Sequence, residues 1–334
     1  MEGVSIIICA KNEVENLRRH LPLVLKQQYG DISAPLYEVV VVNDCSDDGT
    51  HQLLTDLQQQ YPHLREITIT PEVKRTVVGK KFALSTGVAQ AANNWLLLTD
   101  ADCRPASNNW LAHMAAPLAA GKEIVAGYAG HAPAAGLLNK FIRWETTHTF
   151  LQLTTYALIG KPYLAIGRNL ACTKAVCQRA FNSPQWNLGP TGDDDLLVKE
   201  SATQKNMALV TDPEAYTYSI ARESFNNWRK QKQRHTSDGK YYRPAVQFLL
   251  SAYGISQAAV WVYFIYLAFT PYWQVSAYIL LLRCIIYWIL WAFTAVKLKE
   301  KNIVYLLPLF DIGWMLYNCA FLPYILQKNK QHWT

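Results

Sequence analysis

The sequence predicts an α/β domain built on a mostly parallel, doubly wound sheet, followed by an α-helical transmembrane region. Three observations carry that prediction. In the first hundred residues, apolar β-branched runs of five or six residues alternate with helical stretches. After residue 244 come three apolar segments of 24 or 25 residues. Between these parts, residues 222–243 carry seven basic side chains against two acidic ones.

Residues 4–9 (VSIIIC) and 38–43 (EVVVVN) lack regular polar alternation, the pattern of strands buried on both faces. A helix is expected over 13–29 between them and another over 50–61. Residues 65–70 and 95–99 read as two further strands, with 80–92 helical between. Strands and helices that alternate through short connections make a parallel sheet. Such sheets bind ligands beyond the carboxyl ends of their strands. That rule singles out residues 10–13, 44–48 and 100–102.

Residues 245–269 carry no charge, 273–296 only Arg283 and 303–326 only Asp311. Each segment exceeds the roughly 20 residues that span about 30 Å of hydrocarbon as a helix. Trp and Tyr near several ends suit interfacial anchoring. An isolated charge inside a bilayer is costly, so Arg283 and Asp311 are expected to pair. The net charge of +7 is uneven: −2 over 1–221, +5 over 222–243 and +4 beyond. A basic strip ahead of apolar segments marks a cytoplasmic membrane face and gives no reason to expect nucleic acid. With Lys297, Lys299 and Lys301 on the same side, residues 1–240 fall in the cytoplasm, at a plasma or inner membrane. If the third segment crosses fully, the tail with Lys328 and Lys330 falls outside, against the positive-inside trend; a re-entrant third segment is the alternative.

Seven scattered cysteines without a C-x-x-C suggest neither a disulfide framework nor a thiolate zinc site. The start, MEGVSIIICAKNE, lacks the basic region and long apolar run of a secretory signal. Residues 137–166 are apolar and aromatic, and are expected to form a helix in the membrane interface, with His148 a satisfied polar group.

The three strand ends carry the polar chemistry. After VVVVN comes Asp44-Cys-Ser-Asp-Asp-Gly-Thr, where Asp47 and Asp48 read as helix caps. After LLLT comes Asp100-Ala-Asp102, whose two carboxylates share one face of an extended segment. Oxygen ligands of this kind suit Mg²⁺ or Mn²⁺ held jointly with a diphosphate.

The ordered series VSIIICAKNE, VVVVNDCSDDGT, GKKFALSTG and LLLTDADC resembles the nucleotide-sugar half of family 2 glycosyltransferases with the GT-A fold. Downstream, IGRNLACTKA, TGDDDLL and QKQRH resemble the acceptor half of the membrane-embedded branch, which includes ceramide glucosyltransferase and the cellulose and hyaluronan synthases. The resemblance runs from about residue 4 to 240. It implies a catalytic domain over 1–240, with a nucleotide-sugar half (1–104) and an acceptor half (105–240), then transmembrane helices over 245–327.

By the same resemblance, Ala10, Glu13 and Asp44 would hold the nucleoside, and Lys80 would lie near the diphosphate with Lys81 as the alternative. Asp100 and Asp102 match the D-x-D that holds the sugar nucleotide and a divalent Mn²⁺ or Mg²⁺, Asp102 as the direct metal ligand. Asp194, in Gly192-Asp-Asp-Asp-Leu-Leu, matches the catalytic base, with Asp193 its rival. Neighbouring carboxylates repel, which raises the pKa of at least one of them. Gln231 and Arg234 match a Gln-x-x-Arg-Trp motif on the donor side. His235 replaces its Trp on the acceptor side, a departure that counts against processive synthesis. The implied activity is inverting transfer from a nucleoside diphosphate sugar, a UDP-sugar first, to a hydroxyl of a lipid or lipid-linked acceptor. The alternatives are a polyisoprenyl-phosphate sugar transferase, a processive polysaccharide synthase and a non-catalytic membrane scaffold.

Overall fold

The computed structural model describes residues 2–31, 35–77, 79–187 and 193–326. The chain divides into two compact units, one of residues through Ala132 with Gln152–Ala221, the other of Pro133–Leu151 with Arg222 onward. Gly192, Lys328 and Lys330 lie outside the described residues.

The first unit alternates strand and helix from its start. Strand β1 (Val4–Ala10) leads to α1 (Val14–Val24), β2 (Tyr37–Asp44), α2 (Thr50–Gln60), β3 (Leu64–Ile69), α3 (Lys80–Gln90) and β4 (Trp95–Asp100). Then come β5 (Cys103–Pro105), α4 (Trp110–Ala119), β6 (Ile124–Gly127) and β7 (Ala129–His131). Helix α5 (Leu137–Leu158) belongs to the second unit through Leu151 and to the first from Gln152, and β8 (Leu170–Thr173), α6 (Lys174–Phe181), α7 (Asp193–Ser201), β9 (Met207–Val210) and β10 (Thr217–Ser219) follow. The main sheet has seven strands in the order β3-β2-β1-β4-β8-β6-β9, parallel throughout except that β8 runs against both neighbours. A smaller sheet has the order β5-β10-β7. Every residue of β1 and β2 is buried, which accounts for their unbroken apolar runs. One face packs Ile6 and Ile8 with Leu17, Leu21 and Met114. On the other, Gly87 of α3 comes so close that an added Cβ would meet Val42 at 2.8 Å and Ile7 at 2.9 Å.

Two polar residues interrupt the strands at the sheet end away from the predicted ligand side. The Ser5 hydroxyl donates to Glu38 at 2.6 Å, and Glu38 also accepts from Ala92 N–H at 2.5 Å and Arg65 at 2.9 Å. Burial pushes the Glu38 carboxyl up, but these three donors outweigh it and hold it below its usual value. Its contribution is therefore full above pH 4.5, the unfolded value, and is lost as acid protonates it below that. Glu38→Ala orphans the donors and should cost about 1–3 kcal/mol, read as a lower melting temperature at pH 7. A melting temperature unchanged at pH 7 would refute this account.

The second unit holds the first part of α5 with α8 (Phe225–Asp238), α9 (Pro244–Leu267), α10 (Trp273–Lys297) and α11 (Leu307–Phe321). Among the described residues, three stretches are long and apolar enough to cross a membrane: Pro244–Leu267, Trp273–Lys297 and Lys301–Tyr324. Arg283 and Asp311 do meet. The guanidinium bonds both Asp311 oxygens, one at 3.1 Å, and Gln257 at 2.6 Å, which ties α9, α10 and α11 together. Trp144 of α5 anchors an aromatic cluster with Trp291, Phe310 and Trp314. His148 stacks on Trp291 at 4.9 Å and bonds the Tyr253 hydroxyl through Nε2 at 2.8 Å, while its buried Nδ1 has no partner. The expectation of a fully satisfied histidine is thus half met.

Candidate active site

The carboxyl ends of β1, β2 and β4 are adjacent, because β1 pairs with both others in register. Ala10 lies opposite Asn43, and Cys9 opposite Asp100. This brings the loops after the three strands to one edge. Two of them are stitched together: Asn12 N–H donates to Ser46 Oγ at 3.0 Å, and Asp47 N–H to Asn12 Oδ1 at 3.0 Å. Asp48 accepts from Val14 N–H at 2.9 Å at the start of α1 and from Thr50 N–H at the start of α2. It therefore caps two helices, as the sequence suggested for that position. Glu13, in the same loop, accepts from Asn16 Nδ2 at 2.5 Å.

Asp44 is fully buried, and the structure gives it a partner that spacing did not reveal. Arg75 forks its carboxylate, Nη1 to Oδ2 at 3.0 Å and Nη2 to Oδ1, while the guanidinium lies 5.6 Å from the Phe82 ring centre. Arg75 sits in the loop between β3 and α3, 31 positions from Asp44, in no motif that would have singled it out.

Lys80 is aimed by its predecessor. Gly79 has φ 70° and ψ −150°, a conformation essentially reserved for glycine, and it starts α3 so that Lys80 faces β4. Lys80 Nζ lies 2.5 Å from Asp100 Oδ1 and 3.8 Å from Asp193 Oδ2. Burial works against its charge, but Asp100 and Asp193 together push its pKa well above the usual value, so the ammonium persists. Lys81 points elsewhere: it is buried, donates to the Trp186 carbonyl at 3.2 Å and serves the turn before α7.

Asp100, Asp102 and Cys103 present ligand atoms all within 4.8 Å of one another. Cys103 donates to Asp102 Oδ1 at 3.3 Å, and burial, then the two carboxylates, push its thiol well up. Its thiol is thus the softest and least acidic donor of the three, and the two carboxylates supply hard oxygens. A cluster of hard oxygens suits a hard divalent cation, which would share Asp100 with the Lys80 ammonium.

The three aspartates that open α7 are not equivalent. Asp193 faces Lys80. Asp194 accepts from Gly167 N–H at 2.8 Å and from Asp195 N–H at 3.1 Å. Burial and the neighbouring Asp193 charge raise its pKa to about 6 despite those donors and Lys80. A Cβ on Gly167 would lie 3.2 Å from Asp194 Oδ2, so close an approach favours glycine there. The turn Gly167–Asn169 is held in turn by Arg168, which donates to the Gly130 carbonyl at 3.1 Å and the Ala129 carbonyl at 2.9 Å. The Arg168 carbonyl accepts from Thr99 and Thr217. Gly167 and Arg168 stand in the IGRNL motif, which by itself gives neither residue a role.

Ala10, Glu13, Asp44, Lys80, Asp100, Asp102, Asp193 and Asp194 thus all belong to the first unit. Gln231, Arg234 and His235 lie on α8 of the second. There, Lys232 pairs with buried Glu145 at 2.6 Å, and Trp228 Nε1 donates to the same carboxylate at 3.4 Å. Burial and then Arg222 lower the Arg234 pKa.

A mostly parallel sheet with carboxylates gathered at its strand ends, followed by long apolar helices, is a GT-A-like arrangement. The glycosyl transferase family 2 model matches residues 5–176, just over half the chain, and the protein belongs to that family. It is 36% identical over 108 residues to the glycosyltransferase AglE of Haloferax volcanii, 32% of this chain and 33% of that protein. It is 30% identical over 102 residues to a poly-beta-1,6-N-acetyl-D-glucosamine synthase of Staphylococcus epidermidis, 30% of this chain and 22% of that one. The aligned stretches therefore span a third or less of these relatives. Among solved structures, the mannosyltransferase PcManGT from Pyrobaculum calidifontis, in complex with GDP-Man and Mn2+, superposes with a TM-score of 0.55. It covers 94% of this chain and 87% of that one at 17% identity, a likeness of fold.

Proposed function

We propose that the protein is an inverting glycosyltransferase of the membrane, moving a sugar from a nucleoside diphosphate sugar to a hydroxyl of a lipid or lipid-linked acceptor. The observation that carries this reading is Lys80, which lies between Asp100 and Asp193 with Asp194 one residue on. Donor-side charge and a carboxylate of raised pKa thereby meet at one edge of the sheet.

In this reading Ala10, Glu13 and Asp44 receive the nucleoside, with Arg75 orienting the Asp44 carboxylate. Asp102, helped by Asp100, would hold Mn²⁺ or Mg²⁺, which supplies Lewis-acid neutralisation of the leaving diphosphate. Lys80 adds a fixed positive charge beside the same phosphates. Asp194 takes the proton of the acceptor hydroxyl as that oxygen attacks the anomeric carbon opposite the diphosphate. A base with a pKa near 6 is ionised at neutral pH and still basic enough to share a proton in the transition state. Gln231, Arg234 and His235 are assigned to the donor phosphates and acceptor by their motif. The three apolar helices set the enzyme in the bilayer, with the catalytic domain on the cytoplasmic side.

The test is nucleoside diphosphate release by purified full-length protein in detergent. The assay supplies Mn²⁺ or Mg²⁺ and a membrane lipid extract. UDP-sugars are tried first, and GDP-mannose, the donor in the mannosyltransferase complex, after them. Release with one donor and dependence on the extract are expected. Release indifferent to lipid would overturn the acceptor assignment.

A further inference from the structure

We propose that the helical unit binds the headgroup of an anionic phospholipid in a basic cleft at the ends of its apolar helices. The cleft has a volume of about 730 Å³. One wall is the Pro-Ala-Ala segment 133–135, the second is Lys140 and Arg143 of α5, and the third is Lys301, Asn302 and Tyr305. Lys297 closes the second candidate span and Lys301 opens the third, so the cleft sits where two spans end. This placement rests on the membrane reading above, under which span ends lie at headgroup depth.

Charge selects the ligand class. Neither Lys140 nor Lys301 pairs with a carboxylate among the described residues, and Lys297 and Lys299 stand within four positions of Lys301. Lys140 Nζ donates to the Tyr305 hydroxyl at 2.5 Å and lies 5.1 Å from its ring centre, which holds the ammonium at the rim. A phosphate brought here meets two ammonium groups, with amide and phenol groups beside them for its ester oxygens. The apolar 133–135 wall gives the first acyl carbons a surface that a free phosphate could not use.

The cleft is also built in advance. Arg143 and Glu300, 3% and 2% exposed, bond through Nε at 2.8 Å and again through Nη2, which pins α5 to the turn between α10 and α11. That turn holds Lys299 at φ 63°, an uncommon conformation for a residue other than glycine. Glu300 N–H to the Ala295 carbonyl at 2.6 Å and Lys299 N–H to the Val296 carbonyl at 3.1 Å keep it there. An ordered turn whose lysines have no carboxylate partner among the described residues fits retention of an anion. A zwitterionic lipid would bring an extra cation to the same place.

The experiment begins with carbonate extraction of membranes that contain the full chain. Purified protein is then given equal phosphatidylglycerol and phosphatidylcholine in detergent, and the lipid it retains is read by native mass spectrometry. Membrane retention and a preference of about tenfold or more for phosphatidylglycerol are expected, at roughly a factor of five per lysine. Lys140→Gln with Lys301→Gln should abolish the preference without changing the melting temperature. Lys301→Glu alone, at an exposed position, should reduce it. Equal retention by the wild type, or a preference that survives both changes, would overturn the site. Displacement by millimolar inorganic phosphate would assign the cleft to a free anion. Release by carbonate would overturn the membrane reading itself and the lipid source with it.

Discussion

Asp194→Asn should lower kcat/KM by about 10²- to 10⁴-fold, the usual contribution of a positioned base, while donor binding is retained. The pH profile adds a second signature. The base must be ionised, so the wild-type rate should fall about tenfold per pH unit below about 6, where Asp194 takes up its proton. The residual rate of the variant should lack that limb. A carboxylate whose folded pKa is about 6 against an unfolded 3.8 destabilises the folded state progressively as pH rises between those values, and the loss is complete above about pH 6. Removing the charge should therefore leave the melting temperature at pH 7.5 unchanged or higher, which separates lost catalysis from lost fold. Asp193→Asn should act differently, through the charge that faces Lys80. Full activity in Asp194→Asn would refute the base assignment and favour an acceptor that needs no deprotonation, such as a polyisoprenyl phosphate.

The second large effect concerns Asp102. Asp102→Ala, or chelation of the wild type, should reduce transfer by about a hundred- to thousandfold, since stabilising a leaving diphosphate supplies several kcal/mol. Nucleoside diphosphate binding should become insensitive to added Mn²⁺ in the variant, a readout independent of turnover and accessible by calorimetry. Asp100→Ala should harm Lys80 as well, because it removes the carboxylate 2.5 Å from Nζ. Transfer that persists undiminished in excess chelator would show that Lys80 and its neighbours neutralise the diphosphate without a metal.

Much of this was legible in the sequence because it rests on local rules. Unbroken Val/Ile runs mean strands covered on both faces, and β1 and β2 are entirely buried. The parallel sheet then names its own ligand edge, where Asp44, Asp100 and their loops lie. Long apolar stretches meet a length criterion that needs no partner, and all three appear as helices. Arg75 was invisible for the opposite reason: its partner, Asp44, is 31 positions away, and only the loop's path brings them together. Glu145, within the apolar stretch 137–166, likewise finds its partners Lys232 and Trp228 more than eighty positions away. The basic strip at 222–243 is accordingly more than a solvated charge run, since one of its lysines is spent inside the unit.

The sequence by itself determined the class of fold, the strand ends that bear carboxylates and the apolar lengths, because each follows from side-chain periodicity or composition along the chain. Tertiary structure alone decided which of three adjacent aspartates meets Lys80 and which accepts the Gly167 amide. It also decided that Arg75 guards Asp44, and that Arg143 and Glu300 close a buried pair across 157 positions. The physical reason is the same in each case. A carboxylate's charge, pKa and role depend on what lies within a few ångströms of it, and neighbours at that range come from distant parts of the chain.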